Sequence, residues 1–193
     1  MTGSQNIKDP ILSIYMDSRS VFRLSDVAML TGISDSRNLS ARMYYAVRTG
    51  KILNPRKGFY AKPGYNPEEL ACMLYAPSYL SLEYVLQKAG VVFQYDTAIT
   101  AVSYLSREVE VADAQIRYRR MKGSLLAAPQ GIIQQENVSI ATPERAFLDT
   151  LYLNKSYYFD NLRSLDRQKV LSLLPLYGNK KLEERAKKML EHV

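Results

Sequence analysis

The chain has 193 residues, 47% hydrophobic and 23% charged, with a formal net charge of +7; this excludes a disordered chain and is long enough for one ample core or two small ones. Its single cysteine, Cys72, excludes an intrachain disulfide and a cysteine-rich metal site. No stretch approaches the ~18 apolar residues of a membrane span and the start, MTGSQNIKDP, has no apolar signal core, so a cytoplasmic protein without a membrane partner is expected.

Residues 1–63 hold 10 Lys/Arg against 4 Asp/Glu, whereas residues 64–193 hold 16 against 15. An excess confined to one third of the chain suggests a polyanion-binding module joined to a nearly neutral one. The seam is expected at Lys62-Pro-Gly-Tyr-Asn-Pro67, dividing the chain into domains 1–63 and 64–193.

In chain order, Asp9 caps a first helix with Pro10 in its first turn. Val21–Leu24 reads as a brief strand or extended lead-in. Ser25 then caps a second helix, with Val27 and Leu30 inward, and Gly32 permits a sharp turn plugged by Ile33. A third helix runs from about Ser36 to Arg48, with polar caps offered by Ser34 to Ser36. At ~100° per residue, Leu39, Met43, Ala46 and Val47 share one face, and Arg37, Ala41, Tyr44 and Arg48 the opposite one, flanked by Ser40 and Tyr45. Two short helices around a tight glycine turn, the second exposing Arg, Ser, Asn and Tyr, form a helix-turn-helix pattern. After Gly50, strands 51–53 and 58–61 are expected to flank a turn at Asn54-Pro55-Arg56-Lys57, a basic wing that would touch phosphate or the minor groove. The candidate DNA contacts are Ser36, Arg37, Asn38, Ser40, Tyr44, Tyr45, Arg48 and Lys51, with Arg56 and Lys57 in the wing. The same elements would also suit a winged helix used only for protein contact, with Arg37 and Arg48 solvated and Tyr44 in the interface.

Beyond the seam, a helix over 67–75 and another over SYLSLEYVLQKAG, capped by Ser78 or Ser81 and ended by Gly90, are predicted, then strands over 91–95 and 99–105. REVEVADAQIRYRRMK alternates in both halves. A turn at Asp113-Ala114 would set Glu110 against Arg117 and Glu108 against Arg119, with Val111 facing Ile116 and Val109 facing Tyr118. Glu108, Glu110 and Asp113 resemble a nuclease-like acidic cluster, but cross-strand pairing explains the glutamates more simply. Arg120 and Lys122 lack an acid partner in this scheme and are either a second phosphate contact or a solvated strand end. Strand turns to helix at Val138–Asp149, with Thr142 as cap, Pro143 first and Glu144 in the first turn. An amphipathic helix over 179–193 turns Leu182, Ala186, Met189 and Leu190 inward.

The sole histidine, His192, lies beside the C-terminus, and there is no glycine-rich phosphate loop or metal-ligand spacing. No catalytic set, cofactor or metal is therefore expected.

The succession VFRLSDVAMLTG, RKGFYA, YLSLEYVLQKAG, IRYRRMK and IATPERAFLDTLYL resembles, over residues 10–155, the AbiEi antitoxin family of bacterial abortive-infection toxin–antitoxin systems. The resemblance implies an α+β chain, an N-terminal winged helix-turn-helix joined to a C-terminal mixed α/β antitoxin domain. It implies repression of the protein's own operon through repeats in promoter DNA, and type IV antagonism of a nucleotidyltransferase-like toxin without a stable complex. It assigns DNA contact to Arg37, Ser40, Tyr44, Arg48, Arg56 and Lys57, and to a basic face of the second domain near Arg117, Arg119, Arg120 and Lys122. The alternative is a winged-helix regulator whose second domain senses a ligand or dimerises.

Overall fold

Asp9 accepts the Ile11 and Leu12 N–H groups at 2.8 and 2.9 Å, and Pro10 opens helix α1 (Pro10–Met16), in the computed structural model, which describes residues 9–112 and 114–191. Strand β1 (Val21–Arg23) leads directly into α2 (Leu24–Thr31). Its cap is Arg23 rather than the expected Ser25: Asp26 reaches back to accept the Arg23 N–H at 2.7 Å, which draws the helix start forward. Gly32, at φ +72°, ends α2, and Asp35 caps α3 (Ser36–Arg48) by accepting from the Arg37 and Asn38 N–H groups. Ile14, Phe22, Val27, Ile33, Leu39, Met43, Ala46 and Ile52 form the core beneath these elements.

Strands β2 (Leu53–Arg56) and β3 (Phe59–Ala61) complete an antiparallel sheet in the order β1-β3-β2. The hairpin turns at Lys57-Gly58, not across 54–57 as expected. Asn54 Nδ2 donates to the carbonyls of Arg56 (3.0 Å) and Phe59 (2.6 Å), and the register shifts between Leu53 and Arg56, which accommodates Pro55 in a bulge. Gly58 supplies φ +86° at the tip.

The chain divides into two compact units, Met1–Glu69 and Leu70–Val193. The first runs past the expected limit at residue 63 because the buried Glu69 carboxylate accepts from the Ser20 N–H (2.9 Å), the Ser20 hydroxyl (2.6 Å) and the Val21 N–H (3.3 Å), fastening the start of β1.

Helix α4 (Pro67–Leu74) precedes a six-stranded mixed sheet of β4 (Ser78–Leu80), β5 (Ile99–Ser103), β6 (Arg107–Val111), β7 (Ala114–Arg120), β8 (Ile132–Gln135) and β9 (Val138–Ala141). Its order is β6-β7-β5-β4-β9-β8, with β4–β9 and β5–β7 parallel. Residues 78–80, expected in a helix, are a central strand, and only Glu83–Lys88 form helix α5. Two neighbours, β5 and β9, claim the Ser78–Leu80 backbone, and Tyr79 and Leu80 are buried. Residues 91–95 are not a strand: Val91 and Val92 are buried anchors, and the chain beyond them is an exposed loop. The β6–β7 register also differs from expectation. Val111 pairs with Ala114, and Ala112 follows β6 at φ +49°; Asp113 lies outside the described residues. Glu108 therefore faces Arg117, Val109 faces Ile116 and Glu110 faces Gln115. A two-residue shift preserves the alternation, so the apolar face stays inward.

Helices α6 (Gly123–Leu126), α7 (Pro143–Leu153), α8 (Arg167–Tyr177) and α9 (Lys180–Leu190) complete the second unit. Thr142 caps α7 by accepting the Arg145 N–H, as expected, while Glu144 is buried and accepts the Asp166 N–H at 3.2 Å. Phe147, Leu148 and Leu151 of α7 join Leu86, Val170, Leu182 and Ala186 in the main core. Within the second unit, Arg145 and Asp149 form an ion pair (3.2 Å) with both side chains fully buried. Asp149 accepts from Arg145 Nε and from the hydroxyls of Tyr79, Ser81 and Tyr177. Burial pushes its carboxyl upward, against the opposing pull of the Arg145 charge and the three hydroxyl donors. Burial and Asp149 push both phenols well above the tyrosine range, so they remain neutral donors.

Candidate nucleic-acid interface

On α3, Leu39, Met43 and Ala46 are buried and Val47 half-buried, which turns the opposite face to solvent. Ser36, Arg37 and Asn38 form the exposed first turn, and Arg48 the exposed last turn. Tyr44 and Tyr45 are 68% and 55% exposed, high values for large rings with no core to enter. The Arg48 guanidinium lies 5.7 Å from the Tyr45 ring centroid, a cation–π contact that holds the two together at the helix end. Ser40 is half-buried, at the edge of this face. The helix carries no acidic residue between Ser36 and Arg48, and the Asp35 carboxylate is engaged in capping. An exposed strip of guanidinium, phenol, amide and hydroxyl groups has the donors that phosphates and base edges accept.

Lys51, just beyond α3, is exposed, and its carbonyl accepts the Tyr15 hydroxyl at 2.8 Å, so its backbone is fastened to α1. Lys57 is exposed at the tip of the β2–β3 hairpin, and Arg56 is half-buried beside it. A hollow of about 650 Å³ between α1 and α3 is lined by Asn38, Arg42, Tyr45 and Lys51, together with the two capping carboxylates Asp9 and Asp35. Arg42 was outside the expected contact set. Helical spacing puts it between the inward and outward faces, and only the packing of α1 reveals that its side is open.

The two expected contacts in the second unit are Arg120, exposed at the end of β7, and Lys122, exposed as the residue before α6. The Arg120 N–H donates to Ser106 Oγ at 3.0 Å. Their neighbour Arg117 is held by Asp96 and by Glu108 (3.6 Å), leaving Arg119 exposed on the same strand. Glu108 is thus an ion-pair partner, and Glu110 lies across from Gln115. Among the described residues, no group of three or more His, Cys, Asp or Glu side chains could hold a metal ion. No described helix is long and apolar enough to cross a membrane.

No family model matches the chain, and no curated protein matches it.

Proposed function

We propose that the chain is an autoregulating antitoxin of an abortive-infection system. Its first unit is a winged helix-turn-helix that binds promoter DNA through α3, and its second unit counteracts a nucleotidyltransferase-like toxin without a stable complex. The observation that carries the DNA half is the acid-free solvent face of α3, with Arg37, Tyr44 and Arg48 in one row. The order α1-β1-α2-α3-β2-β3, with β1 joining the hairpin sheet, supports a winged helix with Lys57 at the wing tip. Arg56, Arg120 and Lys122 are assigned phosphate contacts. The antitoxin half rests on the succession of sequence blocks that resembles the AbiEi family. In this reading the protein is cytoplasmic, has no enzymatic activity and takes double-stranded DNA with inverted repeats as its ligand.

Co-expression tests both halves. The full chain should restore growth to cells making the co-encoded toxin and silence a reporter behind its own promoter. A variant carrying Arg37→Ala and Tyr44→Ala should lose silencing and keep rescue. If the full chain fails to restore growth, the antitoxin assignment is withdrawn; if the double variant silences fully, α3 is not the reading helix.

A further inference from the structure

In the second unit, the loop over 91–98 and the segment over 154–161 are fastened together through their backbones. The Asp160 and Asn161 N–H groups donate to the Val91 carbonyl at 3.0 and 3.1 Å, and the Phe93 N–H donates to Asp160 Oδ2 at 2.8 Å. Val91 and Val92 are buried, so the rim is anchored while its rings face water: Phe93, Tyr95 and Tyr158 are 69%, 89% and 78% exposed. Behind the rim lie two adjoining hollows of about 210 and 530 Å³ that share the Tyr157 ring as a wall. Glu83 and Asp96 line the first with Tyr95, and Asp160 lines the second with Tyr158. Among the described residues, no Lys or Arg lines either hollow, in a chain whose net charge is +7.

Exposed rings clustered on an anchored rim are unusual for a surface in contact only with water, and aromatic residues are what protein interfaces concentrate. The charge selects the occupant. Asp96 is paired with Arg117, so Glu83 and Asp160 supply the negative charge to the cleft. Both acids act on the same phenol: the Tyr157 hydroxyl is pushed up to about 12 by burial and then by Glu83 and Asp160. Carboxylates beside tyrosine faces suit the head of a lysine or arginine, which gains a charge-assisted hydrogen bond and a cation–π contact together. They repel phosphate, so this cleft takes no part in nucleic-acid binding. We propose that it docks a Lys- or Arg-bearing segment of a partner protein. The assignment is independent of the DNA-binding reading.

The test is a titration of the isotopically labelled full chain, followed by its amide NMR signals, with an alternating Gly/Arg heptapeptide and, separately, its Gly/Glu counterpart. The arginine peptide should shift the amides of residues 91–96 and 157–161, and the glutamate peptide should leave them in place. Tyr158→Ala and Glu83→Gln, both at side chains outside the core, should each weaken the response at least threefold while signals elsewhere stay unchanged. Shifts confined to other acidic sites, an equal response to the glutamate peptide, or unaltered binding in both variants would overturn the proposal.

Discussion

Tyr44 and Arg37 are exposed on α3, whereas Leu39 and Met43, one helical face away, are fully buried. If α3 reads base edges, Tyr44→Ala and Arg37→Ala should each cost roughly 1–3 kcal/mol on the specific site and far less on random DNA. Lys57→Ala at the tip of the β2–β3 hairpin should weaken all sequences alike and flatten the salt dependence by about one unit. Fluorescence anisotropy on matched specific and random duplexes measures both, and equal losses on the two DNAs from all three changes would contradict the assignment of α3. The cap is a separate matter of stability. Asp35→Ala removes the acceptor for two N–H groups at the start of α3 and should cost about 1 kcal/mol in urea unfolding.

At the scale of elements, what was legible in the sequence was what is local. Asp9-Pro10 and Thr142-Pro143 start helices with their own side chains, and the spacing of Leu39, Met43 and Ala46 identifies the inward face of α3. What was not legible depends on partners far along the chain. Ser78–Leu80 is a strand because β5 and β9 pair with it, and nothing within those three residues announces either neighbour. The same holds for the hairpin register, which is shifted two residues from the charge-ladder optimum, so that Arg117 pairs with Asp96 and Glu108 instead of Glu110. At the candidate site, Arg37, Tyr44 and Arg48 were readable from periodicity, but the open side of Arg42 depends on α1. The Arg145–Asp149 pair was hidden for a different reason: an Arg and an Asp four apart on a helix read as a surface pair, and only burial makes them an anchor. Asp149→Leu leaves the Arg145 charge buried without its carboxylate and should destabilise the chain by about 3–5 kcal/mol in urea, whereas replacing both partners with apolar residues should cost much less. A loss under 1 kcal/mol for the single change would show that the pair contributes little.

For the whole molecule, acid sensitivity is shared between the units. In the first, hydrogen bonding from Arg19 lowers the Asp17 carboxyl; in the second, the Ala98 N–H and then Arg117 lower Asp96. An acid with a depressed folded value adds stability above its ordinary value of 3.8, and that stability is lost as pH falls through the folded value. The urea midpoint should therefore fall as pH drops below about 4, and less steeply in the Asp17→Asn/Asp96→Asn double variant; identical pH profiles would exclude these two groups as a source. Net charge is shared too: residues 1–63 have a balance of +6, but Glu68 and Glu69 bring the first unit to +4 against +3 for the second, so long-range attraction to a polyanion should act through both units and weaken with salt. Attraction alone does not make a regulator; in the proposed reading, specificity comes from the α3 side chains. The most direct measurement is the affinity of the purified full chain for its own upstream DNA and for random DNA of equal length, across a salt series. The protein should show a steep salt dependence on both and prefer the upstream fragment by about a thousandfold or more at physiological salt. Equal affinity for the two fragments at every salt concentration would rule out a specific regulator.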